Sequence, residues 1–390
     1  MKHPRILMTA DAVGGIWVFA STLARALARS GCEVVLVTLG PRPEAHQRTE
    51  LAGSSGVRLI ETDLPLEWMD PAGRQAGRTR QELAAIAAEA APDVVHLNSF
   101  REAAGDWRAP VVVTAHSCVF SWWHATRGGE PPGNAWQAYR AYTRAGLAAA
   151  DAWVAPSRAM REEIARIYRP RKPGWVISNG MEPLPPGPGE RRPVVTAVGR
   201  LWDEGKNIAV LDAAAEKIHW PVRVMGPDIG AAGQGAAGRF RHLHTLGPLP
   251  RRAVLGELET AEIYVSPARF GPFGLSVLEA ASCGAALVLS DIPAFRELWG
   301  GAALLVPPDD EAALAKAVNG LIAEPERRQA LAATARARAA RYPLRATVNG
   351  YLRLYARLTS GAAAFDRIPD PLQPPEATAP AAAERASPHV

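Results

Sequence analysis

The chain has few cysteines and no long apolar run, and both shortages exclude whole classes of protein. Its three cysteines, Cys32, Cys118 and Cys283, lie far apart and form no Cys-x-x-Cys pair, so we expect neither a disulfide framework nor a zinc site. No stretch approaches the about 20 apolar residues that span a bilayer. The first residues also lack the apolar core of a signal peptide. We therefore expect a cytoplasmic protein.

The chain also lacks two motifs, and it has no strong excess of charge of either sign. The chain has no Gly-x-Gly-x-x-Gly followed by a ribose-binding acid, which argues against a nicotinamide-dependent oxidoreductase. It has no Asp-x-Asp pair in a suitable loop, so we expect no metal ligand set. The 44 Lys and Arg against 39 Asp and Glu give a net charge of +5. This mild excess suits an anionic ligand such as a nucleotide or an acidic lipid surface, but a solvated surface is the favoured explanation.

What the chain does contain is an alternation of short apolar runs and helical patterns, which is typical of βαβ units and parallel sheets. In the first half the pattern predicts strands at 5–9, 33–38, 94–97, 111–114 and 152–155, with helices at 16–29, 81–90 and 135–149. In the second half it predicts strands at 194–198, 222–225, 262–265, 286–289 and 303–306, with helices at 207–217, 275–282, 310–323, 326–340 and 344–358.

A stretch dense in proline and glycine at 182–190 separates the two halves, because such a stretch continues neither a helix nor a central strand. The predicted fold class is α/β, with two doubly wound Rossmann-like domains facing each other across a cleft. The predicted boundaries are 1–183 for the first domain, 184–192 for the linker, 193–343 for the second domain, 344–358 for a last helix and 359–390 for a disordered tail. Ligands of such sheets bind at the carboxyl ends of the strands, here in the cleft.

Three segments have the residues for an anion and sugar site. Gly14 and Gly15 lie between a strand and a helix, where backbone amides can approach an anion; a tight turn is the alternative. Arg200 and Lys206 flank the next such loop and suit a diphosphate, although both are also ordinary surface residues.

The third segment is the glycine- and proline-rich loop before the helix at 275–282. Glu279 lies one turn into this helix, where a carboxylate can accept hydrogen bonds from the two hydroxyls of a ribose. The amides near the start of the helix point to the same place and suit sugar hydroxyls or phosphate. An exposed helix residue is the alternative reading of Glu279.

With VGRL, EGKN and SPARFGPFGLSVLEAASCG in this order and spacing, the chain resembles the family-4 retaining glycosyltransferases of the two-Rossmann, or GT-B, fold. The resemblance covers roughly residues 3–358 and is more specific in the second half. It implies a retaining hexosyltransferase-type enzyme that moves a sugar from a nucleotide-diphosphate sugar to a hydroxyl acceptor, such as a glycan, glycolipid or polysaccharide intermediate. It also implies that the helix at 344–358 crosses back to the first domain.

The resemblance also implies roles for single residues. Arg200 and Lys206 would bind the diphosphate, and His116 would lie beside the transferred sugar; a structural histidine at a strand end is the alternative. The remaining donor-binding residues implied are Gly14, Gly15, Phe273, Gly274, Leu275 and Glu279. In one place the chain departs from the family pattern. The family's long motif has two Glu separated by seven residues, and Gly271 stands where the first is expected.

The sequence has fewer signals for the acceptor site than for the donor site. Trp122, Trp123 and His124 are predicted to lie in a mobile loop, where they either stack on an acceptor ring or pack beneath the loop. The expected acceptor is a sugar, a lipid-linked sugar or a small molecule, with no nucleic acid and with peripheral contact to the inner face of a membrane allowed.

The expected mechanism is front-face transfer without a metal or a resident cofactor, the nucleotide sugar being a co-substrate. Three alternatives are an epimerase or phosphorylase of the same architecture, an oxidoreductase, and a non-catalytic homologue that binds a nucleotide sugar or a partner protein. The last is favoured by Gly271.

Overall fold

The computed structural model describes residues 4–184, 190–229, 235 and 240–360. Its first half is built on a parallel seven-stranded sheet in the order β3-β2-β1-β4-β5-β6-β7. The strands are β1 Arg5–Asp11, β2 Glu33–Leu39, β3 Val57–Glu61, β4 Val94–Leu97, β5 Val111–Thr114, β6 Ala152–Ala155 and β7 Trp175–Val176. The helices are α1 Gly15–Arg29, α2 Ala45–Ala52, α3 Ala76–Ala90, α4 Val119–Arg127, α5 Asn134–Ala149 and α6 Arg158–Tyr168, with a 3-10 turn at Arg101–Ala104.

The second half is built on a parallel six-stranded sheet in the order β10-β9-β8-β11-β12-β13. The strands are β8 Arg192–Val198, β9 Val222–Met225, β10 His244–Thr245, β11 Ala261–Ser266, β12 Ala286–Ser290 and β13 Leu304–Val306. The helices are α7 Ile208–Ala215, α8 Arg251–Thr260, α9 Leu275–Ser282, α10 Pro293–Trp299, α11 Glu311–Ala323, α12 Pro325–Ala339 and α13 Leu344–Thr359. In both sheets the order reverses direction beside the first strand, which is the switch point where ligands of doubly wound sheets bind.

Continuous apolar runs form these strands because helices cover both faces of each sheet. In β2 every residue but the first is buried, and in β12 all are buried. Each sheet therefore separates two hydrophobic clusters. The predicted class of two Rossmann-like α/β units is confirmed, and the predicted strands at 94–97, 111–114, 152–155 and 222–225 have the observed bounds.

The last helix, α13, returns to the first half, as the resemblance implied. Tyr351, Leu354 and Tyr355 are fully buried in a cluster of the first sheet. His96 of β4 fixes the helix there, since its Nδ1 lies 2.6 Å from the Tyr355 hydroxyl and its Nε2 lies 2.7 Å from Oγ1 of Thr114. Burial lowers the pKa of His96 to about 3, so the ring is neutral and shares neutral hydrogen bonds.

The crossing into α13 lies beside the crossing between the two sheets. Leu344 donates its amide to the Met181 carbonyl over 2.8 Å, and Met181 donates its own to the Tyr342 carbonyl over 3.2 Å. These two bonds join the chain segments by which the halves are connected.

Several sequence-based expectations need correction, and others concern residues that the structure does not describe. The predicted loop around 122–124 is wrong, because these residues belong to helix α4, and the sequence signals for α6, α8 and α10 were not recognised. Most of the linker, at 185–189, and the tail from 361 onward lie outside the described residues. No described helix has the length and apolar character to cross a membrane.

Candidate active site

The glycine loop of the first half meets the β8–α7 loop of the second half across the cleft. Gly14 has φ 81° and ψ −136°, a conformation that side chains disfavour, and precedes the first residue of α1. A Cβ added at Gly14 would lie 3.3 Å from Nη1 of Arg200. The two glycines thus bring the positive end of α1 beside a guanidinium, which together attract an anion.

Arg200 and Lys206 lie in the loop between β8 and α7, as predicted. Both Nη2 and Nε of Arg200 donate to Oδ2 of Asp203, over 2.5 and 3.2 Å. Burial and the nearby Arg200 lower the pKa of Lys206, against the opposing pull of Asp203. Neighbouring cations disfavour each other's charge, so a diphosphate placed between them would relieve this repulsion.

Glu279 is buried on α9 rather than exposed, and Arg251 lies against it. Nε and Nη2 of Arg251 both approach the same carboxylate oxygen, Oε1, at 3.0 Å. Burial raises the pKa of Glu279, and the charge and hydrogen bond of Arg251 oppose this rise. Since both nitrogens use one oxygen, the other oxygen is the one that a ribose hydroxyl can approach. Arg251 also reaches Thr22 of α1, at 3.3 Å, and so joins the two halves.

Helix α9 begins where the family resemblance expects the transferred sugar. Gly274 has φ 81° and is followed by Leu275, the first residue of the helix. The ring of Phe273 is buried edge-on against Tyr342, with 5.7 Å between the ring centroids. The side chain of Phe273 therefore belongs to the core, and what it and its neighbours can offer a sugar is the backbone amides at the helix start.

Gly271 has no free space for the carboxylate that the family places there. An added Cβ would lie 2.9 Å from Cζ of Phe295, whose side chain is only 1% exposed. Phe295 thus occupies the direction in which a longer side chain at 271 would leave the backbone. The glycine at 271 and the buried ring of Phe295 therefore fit each other in this chain.

His116 follows β5 and is held by Asn98. Nδ2 of Asn98 donates to the Thr9 carbonyl over 2.6 Å, so its Oδ1 accepts from Nε2 of His116 over 2.8 Å. Burial lowers the pKa of His116 to about 3. In this neutral ring Nε2 has the hydrogen, and Nδ1 is the acceptor nitrogen. Phe19 packs edge-on against the ring, with 4.4 Å between centroids.

Asp11 ends β1 directly before the glycine loop. One of its oxygens accepts from the Val13 amide over 2.6 Å, and the side chain is buried. Burial raises its pKa to about 7, although the Val13 amide and Arg200 favour the charged form. A carboxyl that changes charge near neutral pH therefore lies at the edge of the cleft.

The three residues predicted for the acceptor lie on α4 and differ in environment. Nε1 of Trp122 donates to Oδ1 of Asp203 over 2.9 Å, so this indole contacts the second half. Trp123 lies under the guanidinium of Arg127, 4.5 Å from Cζ to the ring centroid. His124 is exposed. The acceptor role stays a prediction for all three.

The first turn of α6 also contacts the second half. The amides of Arg158 and Ala159 donate to the two carboxylate oxygens of Glu297, over 2.8 and 2.7 Å. Ser157, which caps this helix, donates its hydroxyl to the Pro272 carbonyl over 2.7 Å. These bonds hold the halves together beside Gly271.

Sequence reasoning missed the residues that support the site from a distance: Asn98, Asp203, Arg251 and Glu297. Asp203 lies between the VGRL and EGKN motifs, so its position was a signal. Nothing in the local sequence marks Asn98 or Arg251, because their partners are far away in the chain. Within residues 4–184, 190–229, 235 and 240–360, no three His, Cys, Asp or Glu side chains form a group suited to a metal ion.

Two glycosyltransferase family models together match most of the chain. The model of Glycosyltransferase Family 4 matches residues 13–183, and the model of Glycosyl transferases group 1 matches residues 192–324. Among curated proteins, the α-maltose-1-phosphate synthase of Mycolicibacterium smegmatis is 32% identical over 257 residues, which cover 56% of this chain and 65% of that protein. The D-inositol 3-phosphate glycosyltransferase of Xylanimonas cellulosilytica is 28% identical over 399 residues, covering 90% and 93%.

Solved structures are similar over most of the chain. The sucrose-phosphate synthase of Thermosynechococcus elongatus has a TM-score of 0.76 at 20% identity, covering 92% of this chain and all of that one. HepE of Anabaena, in complex with UDP and glucose, has a TM-score of 0.73 at 18% identity, covering 91% and 100%. At these identities the structures show a shared fold.

Proposed function

Since the chain belongs to glycosyltransferase family 4 and has the GT-B fold, we propose that it is a retaining transferase for a nucleotide-diphosphate sugar. The observation that supports this most directly is the approach of Gly14 to Arg200 across the cleft. It brings a helix N-terminus and a guanidinium to one point, which suits a diphosphate leaving group.

The donor would lie along the second half. Arg200 and Lys206 bind the diphosphate and stabilise the charge that builds on it as the glycosidic bond breaks. Glu279 accepts from a ribose hydroxyl through the oxygen that Arg251 leaves free. The amides of Phe273, Gly274 and Leu275 face the transferred sugar. Because two cations already stabilise the leaving group, the mechanism requires no metal and no resident cofactor.

Transfer would then proceed on the front face of the sugar. The acceptor hydroxyl attacks from the side that the diphosphate leaves and gives its proton to the departing phosphate, so no enzyme nucleophile is needed. Neutral His116 can accept a hydrogen bond from a sugar hydroxyl at Nδ1. Contact between the halves excludes water and limits hydrolysis of the donor. This mechanism does not depend on a carboxylate at Gly271.

The acceptor would enter along the first half. By their names, one relative makes α-maltose 1-phosphate and the other glycosylates D-inositol 3-phosphate, which directs the search to glycans, glycolipids, polysaccharide intermediates and phosphorylated small metabolites. On α4 the residues that we expect to contact it are Trp122, Trp123 and His124. A lipid-linked acceptor would require peripheral contact with the cytoplasmic face of a membrane.

A thermal-shift screen against UDP, GDP, ADP and their sugar conjugates, with and without magnesium, tests this function. We expect one nucleotide to raise the melting temperature without magnesium. Arg200→Ala and Lys206→Ala should each weaken binding of that diphosphate by roughly tenfold or more without unfolding the protein. The control Arg327→Ala removes an exposed ion pair on α12 and should bind as the wild type does. Unchanged affinity in both site variants would refute the phosphate site.

A second candidate function is a non-catalytic homologue that binds a nucleotide sugar, and Gly271 is the observation that favours it. The two candidates differ in turnover. Release of nucleoside diphosphate from the bound sugar conjugate, by transfer or slow hydrolysis, supports the enzyme. Tight binding without any release over many hours supports the second candidate.

A further inference from the structure

Asp203 has an unusual place for an acidic residue, because it lies among the cations assigned to an anionic ligand. Its side chain is only 5% exposed, in the loop that contains Arg200 and Lys206. A bare carboxylate there opposes a diphosphate by like-charge repulsion. Burial alone would raise the pKa of Asp203, but Arg200, Lys206 and the hydrogen bonds from Arg200 and Trp122 lower it below its ordinary value. The side chain is thus held in its charged form.

The two oxygens of this carboxylate bind partners from different parts of the molecule. Oδ2 accepts from Nη2 and Nε of Arg200, over 2.5 and 3.2 Å. Oδ1 accepts from the Gly205 amide over 2.8 Å and from Nε1 of Trp122 over 2.9 Å. Trp122 belongs to α4 of the first half, so one carboxylate joins the arginine of one half to an indole of the other.

The hydrogen bonds also decide where the guanidinium points. With Nε and Nη2 bound to Asp203, the remaining nitrogen, Nη1, lies against the Gly14 loop, 3.3 Å from a Cβ built there. An arginine side chain that is about one-third exposed, as Arg200 is at 32%, would otherwise sample several rotamers. The carboxylate removes this freedom and directs Nη1 to the positive end of α1.

Gly205 makes room for the indole. An added Cβ at Gly205 would lie 2.7 Å from Nε1 of Trp122 and 3.0 Å from Oδ1 of Asp203. A side chain at this position would therefore displace Trp122 or break its hydrogen bond. The β8–α7 loop is shaped to receive a residue of the opposite half.

Resting on the proposed function, we propose that Asp203 is a positioning residue that orients Arg200 toward the diphosphate, and that Trp122 links this orientation to closure of the cleft. When the halves close, the indole bonds to Oδ1 and fixes the carboxylate, and the carboxylate fixes the arginine. Trp122 then acts on the diphosphate site through Asp203.

The test compares charge-conserving variants at neighbouring positions. Asp203→Glu keeps the charge but adds a methylene in a buried site, so its carboxylate loses the present geometry. The matched control Glu204→Asp changes length by the same methylene in an exposed residue that pairs with Arg127. Affinity is measured for the nucleoside diphosphate that binds most tightly among UDP, GDP and ADP, and for its nucleoside.

We expect Asp203→Glu to weaken diphosphate binding by roughly tenfold to a hundredfold, because the misplaced arginine no longer meets the phosphates. Nucleoside affinity should stay within about twofold, as should both affinities of Glu204→Asp. Equal losses for nucleoside and diphosphate in Asp203→Glu, and in Asp203→Asn as a second variant, would make the residue merely structural and overturn the inference. A diphosphate affinity equal to that of Glu204→Asp would overturn it as well.

The role of Trp122 is tested with Trp122→Phe, which keeps an aromatic ring and loses the Nε1 donor. It should weaken diphosphate binding by roughly three- to tenfold. Added to Asp203→Glu it should cost nothing further, because both changes interrupt one path. Fully additive losses would overturn the link between closure and orientation. A wild-type protein that binds none of the three diphosphates would instead refute the proposed function itself.

Discussion

The β8–α7 loop of the second half and the turn at Arg101–Ala104 of the first half place their cations in opposite ways. The second half lines the cleft with partly exposed cations and backbone amides at the ends of its strands. The first half contains a buried cluster of charges, in which Arg101 is 4% exposed between the carboxylates of Asp70 and Glu102. Glu67 accepts the Phe100 and Arg101 amides there, each over 3.0 Å.

Charged residues that bind a ligand and charged residues that support the fold therefore have different requirements. A residue that binds a charged ligand must stay accessible, as the side chain of Arg200 does at 32% exposure. A buried cluster has no ligand to satisfy it and can only hold backbone, here the turn that follows Asn98. We therefore expect changes at buried charges such as Arg101 to act on stability and changes at accessible cations such as Arg200 to act on binding.

The largest expected effect is at Arg101. Arg101→Met leaves Asp70 and Glu102 buried without their cation, and removing one partner of a buried pair costs about 3–5 kcal/mol. Urea denaturation should show this loss of unfolding free energy. Arg327→Met, at an exposed pair with Glu324, should leave stability nearly unchanged. A small effect at Arg101 would mean that the cluster is not a support.

The next effect concerns Asp11 and depends on pH. Its pKa is about 7 when folded and about 3.8 when unfolded, so the folded protein binds the proton more tightly. Stability is therefore lost as pH rises from about 4 to 7, by roughly 4 kcal/mol. Asp11→Asn should remove this loss and exceed the wild type in stability at pH 8 but not near pH 4. The exposed carboxyl control, Asp63→Asn, should show no gain at pH 8.

The smallest of the three effects is at Gly271. Gly271→Glu should reduce stability by about 1–3 kcal/mol, because its Cβ meets the buried ring of Phe295. Combined with Phe295→Leu, the loss should be smaller than the sum of the single losses, measured by chemical denaturation. Gly256→Glu is the control, since nothing lies within 4 Å of an added Cβ there. Strict additivity would show that the two positions are not coupled.

The sequence predicted most of the framework, including the loops on which the proposed donor-binding residues lie. Strand β9 was predicted with its observed bounds because four apolar-patterned residues between turn signals leave little choice. Helix α4 was mistaken for a loop because glycines and prolines follow it closely, although Cys118 and Ser121 cap its start. The Arg251–Glu279 and Asn98–His116 contacts could not be predicted, since they depend on how distant elements pack. Local patterns specify elements, and only the folded chain specifies which side chains meet.

The chain passes between the halves twice, and hydrogen bonds join the two passages at Met181, Tyr342 and Leu344. Because the two passages are hydrogen-bonded to each other at one place, they can act as a hinge. Sliding or twisting of one half against the other would break these hydrogen bonds, whereas rotation of the halves about the hinge would leave them intact. The open and closed forms should therefore differ by a swing about a single axis, with the largest travel at the far edge of the cleft.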